Sequence, residues 1–97
     1  MHGEVCLIPW HYQIIEDNPK EVSIKFSVRT YRTPFYLEKT MTLRSSDPKL
    51  YISEKIKNEG YSKIYLNWTH HPTFGGAFLD DSTIIDVPEN NVRFVLT

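Results

Sequence analysis

The sequence has one cysteine, Cys6, in 97 residues. That excludes an internal disulfide and any zinc site built on paired cysteines. Cys6 itself reads as a small buried hydrophobe rather than a reactive thiol. Glycine is scarce, at four residues, and none sits in a phosphate-cradling loop. No serine has the Gly-x-Ser-x-Gly setting of an activated nucleophile. Neither sign of charge is in excess: 11 basic and 12 acidic residues leave a net charge of -1. The basic face that nucleic acid requires is therefore missing, as is an electrostatic pull toward anionic membranes. No stretch of ~20 apolar residues suits a membrane span. The opening MHGEVCLIPW has no basic region followed by a long apolar run, so a cytoplasmic location is expected.

What is present is a globular composition, 40% hydrophobic and 24% charged, in a chain the length of one domain. The whole chain, 1–97, is expected to form that domain. The dominant pattern has period two. Val22, Ile24, Phe26 and Val28 alternate with Glu21, Ser23, Lys25, Ser27 and Arg29, which gives a strand with one apolar and one polar face. Phe35, Leu37, Met41 and Leu43 repeat the pattern against Glu38, Thr40, Thr42 and Arg44. Lys39 interrupts that apolar row, which predicts a place near an edge or in reach of solvent. Leu50, Ile52 and Ile56 form a third row, and Ile64, Leu66 and Trp68 a fourth. The first of these also has helical spacing, but it is short for a helix.

Turn chemistry separates the rows: Asp17-Asn18-Pro19, Thr33-Pro34, Ser45-Ser46-Asp47-Pro48 and Asn58-Glu59-Gly60. Short strands between frequent turns predict an all-β fold, built as a meander of antiparallel strands. Residues 69–81 hold a proline, two adjacent glycines and two adjacent acids, and predict a long ordered loop. Residues 82–87 and 92–96 read as two further strands.

Four histidines carry the candidate chemistry: His2, His11, His70 and His71. His70 and His71 are adjacent and would point to opposite faces of a strand, and no His-x-His or His-x3-His spacing exists, so no metal site is expected. Histidine exchanges protons near neutrality, and a histidine at a strand end beside Gly75-Gly76 suits a general acid. Tyr65, Trp68, Phe74 and Phe78 offer flat faces that stack on the C–H faces of sugars. Against this stand ordinary readings, in which alternate aromatics fill a core and a loop histidine serves as a hydrogen-bonder.

The stretch from Leu50-Tyr51-Ile52 to Asn58-Glu59-Gly60, then Thr69-His70-His71-Pro72-Thr73-Phe74-Gly75 and Phe78-Leu79-Asp80, resembles the central part of the aldose 1-epimerase (galactose mutarotase-like) family. Arg32-Thr33-Pro34-Phe35 and His2-Gly3 also fit that pattern. The resemblance implies a partial galactose mutarotase-like supersandwich of antiparallel strands. It implies a carbohydrate-binding protein, a fragment of an isomerase that interconverts the α and β anomers of aldoses. His71 matches the family's general acid, which protonates the sugar ring oxygen. His2 matches a histidine that contacts the sugar, and His70 and Phe74 belong to the same ligand-facing segment. No cofactor is implied, and the expected ligand is a monosaccharide or sugar phosphate. Family members are several times longer. No residue matches the family's general-base glutamate, its sugar-binding aspartate, or the arginine that precedes its His-Gly motif. A slice of such a sandwich has unpaired strand edges and a face that expects another sheet, which implies a homo-oligomer or a complementing chain joined through the sheet edges. The competing expectation is a non-enzymatic β-sheet interaction or structural module that has lost sugar binding.

Overall fold

The structure, a computed structural model, describes residues 3–88. It divides the chain, which the sequence reads as one domain, into two compact units, residues 1–64 and 65–97. Among the described residues, the regular structure lies in the first unit: a 3-10 turn at Glu4–Cys6, then β1 (His11–Asp17), β2 (Glu21–Arg29), β3 (Phe35–Arg44) and β4 (Leu50–Asn58). The strands form one antiparallel sheet in the order β1-β2-β3-β4. The all-β class and the meander follow the sequence pattern, and residues 50–57 take the strand alternative. A second layer of sheet is not among the described residues.

Register fixes the two faces. Ile14, Ile24, Met41 and Ile52 face one another across the four strands, and Val22, Leu43 and Leu50 form the next rung. Val28, Leu37 and Ile56 form a rung near the other end. Val28, Phe35 and Leu37 are buried and make the core of this unit. The opposite face is polar. There Ser23 is buried and its hydroxyl hydrogen-bonds the Thr42 hydroxyl across the ladder at 2.9 Å.

The turns close as their residue types dictate. The Asn18 side-chain oxygen accepts the backbone N–H of Lys20 and of Glu21, at 2.9 and 3.0 Å, and so caps the β1–β2 hairpin. Ser46, at φ 62°, supplies the left-handed residue of the β3–β4 connection. Asn58 builds the turn after β4: its side-chain oxygen accepts from the Gly60 N–H at 2.9 Å, and its amide donates to the Ser62 carbonyl at 2.8 Å. The Glu4 carboxylate accepts the N–H groups of Tyr31 and Arg32, at 3.0 and 3.1 Å, tying the 3-10 turn to the β2–β3 loop.

Lys39 lies on the inner strand β3 and not at an edge, and it keeps the other expected place, in reach of solvent: its side chain is 33% exposed, with its ammonium 3.7 Å from Glu54 on β4. An opposite charge at the facing register position makes an inner place tolerable. Other expectations are corrected. Cys6 is exposed, with its thiol 3.1 Å from the Gly3 carbonyl, and is no core residue. The row of Ile64, Leu66 and Trp68 forms no strand, and neither does 82–87, where a turn at 81–82 leads into irregular chain. Alternation supplies a face but no ladder partner, and a strand needs both. The predicted strand at 92–96 lies outside the described residues.

Candidate functional site

Residues 65–88 carry the candidate chemistry without helix or strand. Two turns organise the segment. The Phe78 N–H donates to the Gly75 carbonyl at 3.0 Å, and the Thr83 N–H donates to the Asp80 carbonyl at 3.1 Å. Asp80 holds the second turn. Its carboxylate accepts the Ser82 hydroxyl and the Ser82 N–H, the latter at 2.8 Å, and its own N–H donates to the Thr83 hydroxyl at 3.0 Å. The Ser82 hydroxyl bond, then its N–H, draws the Asp80 pKa below the ordinary carboxylate value, since each donor favours the ionised form.

Trp68 and His70 meet edge to face, with ring centroids 6.5 Å apart and planes at 90°. Residues two apart can share one side of the chain, and this pair does. His70, His71 and Phe74 are all exposed. His2 lies outside the described residues, so of the predicted site residues His70, His71 and Phe74 are the ones on this segment. Gly75 and Gly76 have open space where a Cβ would sit, and neither has a positive φ. Their local backbone does not require glycine. Among the described residues, no three His, Cys, Asp or Glu side chains gather as a metal site.

The sheet unit holds a second group of polar and aromatic side chains that motif reading missed. On the polar face the Arg29 guanidinium stacks 4.4 Å over the Tyr36 ring and donates through Nε to Glu59 at 2.9 Å. The Tyr36 hydroxyl donates to Glu38 at 2.8 Å, which raises its pKa because the bond holds the proton on the phenol. Arg44 likewise stacks over Tyr51 at 4.6 Å and donates to Glu21 at 2.9 Å. A shallow depression of about 190 Å³ borders His11, Ser27, Arg29, Tyr31 and Tyr36. Ladder register, available only from pairing, is what brings Arg29 opposite Tyr36. The shared odd positions of Lys25, Ser27 and Arg29 give the polar face but not that partner.

Among the described residues, no helix is long and apolar enough to cross a membrane. No protein-family model matches the chain, and neither a curated protein nor a solved structure matches it.

Proposed function

We propose that this chain is a cytoplasmic carbohydrate-binding protein of aldose 1-epimerase-like type, part of a mutarotase-like β-sandwich, whose ligand-facing groups lie on residues 65–78. The observation that carries the reading is the exposure of an aromatic and imidazole set on one short segment: Tyr65, His70, His71, Phe74 and Phe78 all face solvent. A core role for these rings would bury them. Stacking on a sugar face requires them outside. Gly75 and Gly76 support the same reading, because their backbone needs no glycine and close approach of a ligand gives the missing side chains a use.

In this reading Phe74 supplies a flat face for the sugar ring, His70 supplies a hydrogen bond, and His71 is the proton donor to the ring oxygen. Proton transfer by one positioned group is worth ~10²–10⁴-fold, and an acid without its base forfeits most of that. Binding is therefore the proposed activity of this chain, and mutarotation requires a carboxylate from another one.

The test is a titration with galactose and glucose followed by proton NMR. Saturable shifts at the Trp68 indole and at the His70, His71 and Phe74 rings are expected, weakened in a Phe74→Ala variant. Unmoved resonances at saturating sugar would sink the reading. A second reading, a non-enzymatic sheet module, is favoured by the exposed apolar side chains on the sheet of the first unit, and unmoved resonances would leave it standing.

A further inference from the structure

The two faces of the sheet are solved differently. The polar face closes on itself: Arg44 pairs with Glu21, Lys25 lies 3.9 Å from Glu38, Ser23 bonds Thr42, and two arginines cover two tyrosine rings. The apolar face is covered only toward Val28, Phe35 and Leu37. At its other end Tyr12, Ile14, Val22, Leu43, Leu50 and Ile52 expose between 47% and 69% of their surface. These six occupy neighbouring rungs on four adjacent strands, so the exposure is one patch and not scattered residues.

We propose that this end of the apolar face is the contact between two copies of the chain, which close a two-layer β-sandwich across a two-fold axis. Area favours it. Half-exposed side chains of this size leave about 100 Å² each, so the patch offers on the order of 600 Å² per copy, at the upper end of what monomers leave uncovered. Two copies bury about 1,200 Å², the lower bound of a standard stable interface. A two-fold contact also needs a surface that complements itself. This one does over the inner strands, where its rungs are aliphatic. Lys39 and Glu54 neutralise each other at the boundary between the covered and uncovered parts. Asp17, opposite Val22 on the edge strand, is a further charge on these rungs and lies at the rim, so the inner part of a second copy brings no unmatched charge.

The edges are less suited to the contact. The β1 ladder is broken by a bulge at Ile15, between Ile14 and Glu16, and ends in Glu16-Asp17. On the outer edge of β4, Lys55 and Lys57 oppose addition of a like strand. Bulges and edge lysines are the devices that keep sheet edges from pairing.

Light scattering on the whole chain, from low micromolar to several hundred micromolar, tests the proposal. The expected mass rises to twice that of one chain. Leu43→Lys and Ile52→Lys are each expected to weaken association by ~tenfold or more. Ser53→Lys, on the polar face of β4, is expected to leave it unchanged. Should the lysine variants fail to fold, a mixed sample of labelled and unlabelled wild-type chain decides the matter through intermolecular Overhauser contacts. Those contacts are expected among the methyls of Ile14, Leu43 and Ile52. A single-chain mass throughout overturns the proposal, as do intermolecular contacts confined to the backbone amides of β1 or β4. The outcome is independent of whether sugar binds.

Discussion

Leu37 and Leu43 lie on one strand and one face, six residues apart, and differ in burial: Leu37 is 2% exposed and Leu43 53%. The same substitution, Leu→Ala, thus removes the same three carbons from two environments. At Leu37 those carbons lie between the facing Val28 and Ile56. Their transfer is worth about 0.8 kcal/mol each, roughly 2.4 kcal/mol together. A cavity penalty adds to this because the inner strand is held on both sides, so Leu37→Ala should cost about 3 kcal/mol. At Leu43 about half the transfer value is in play and solvent fills the space, so the cost should be about 1 kcal/mol. Urea unfolding followed by tryptophan fluorescence measures both, at a dilution where the chain is single. Equal costs would refute the assignment of the core to the Val28–Leu37 end. The two variants should also differ in concentration dependence. The Leu37 cost stays constant, while the Leu43 cost grows as association covers that side chain.

Two further outcomes follow from local geometry. A Cβ at Gly60 would lie 2.8 Å from Pro34 Cγ and 3.2 Å from the Asn58 side-chain oxygen. A proline ring yields little, so Gly60→Ala should destabilise the sheet unit by ~1–3 kcal/mol in the same urea assay. Asp80 should set the acid limit of its turn. Its folded pKa is depressed, so the carboxylate's support for the turn is complete above the ordinary carboxylate range and is lost as pH falls through the lowered value. Chemical shifts of the Ser82 amide should follow this titration, and Ser82→Ala should move its midpoint upward by removing the largest cause of the depression. A midpoint unchanged in that variant would contradict the hydrogen-bond account.

Three of the four strands were legible because their alternation keeps its phase from end to end, even where Lys39 and Glu54 stand in the apolar rows. Val22 to Val28 fixes β2, and Phe35 to Leu43 fixes β3 despite Lys39. The strand β1 was not legible, and the bulge is the reason. Ile14 and Ile15 are adjacent, which spoils period two, and only the extra unpaired residue restores Glu16 to the polar face opposite Ser23. The error on 82–87 runs the other way. Ile84, Ile85 and Val87 carry strand propensity, but propensity does not provide a neighbour. Within the candidate site, residue types were legible and contacts were not. The His-His-Pro segment stands out in the sequence, while the edge contact of Trp68 with His70 depends on backbone torsions that no spacing rule gives.

The sparse core and the uncovered patch are two sides of one energetic condition. Among the described residues, Val28, Phe35 and Leu37 are the buried apolar side chains. Burying a side chain of this kind contributes about 1.5–3 kcal/mol, so three contribute less than 10 kcal/mol. A lone cysteine allows no internal disulfide to help so small a core. Covering the six exposed side chains roughly triples the number of large apolar groups withdrawn from water. If two copies supply that cover, folding and association are one equilibrium, and the stability of the sheet depends on chain concentration. The Lys39–Glu54 pair then has a physical role beyond compensation. Two charges set into an apolar face make any sliding of one sheet over the other strand them against aliphatic rungs, so the pair favours one register of contact over its neighbours.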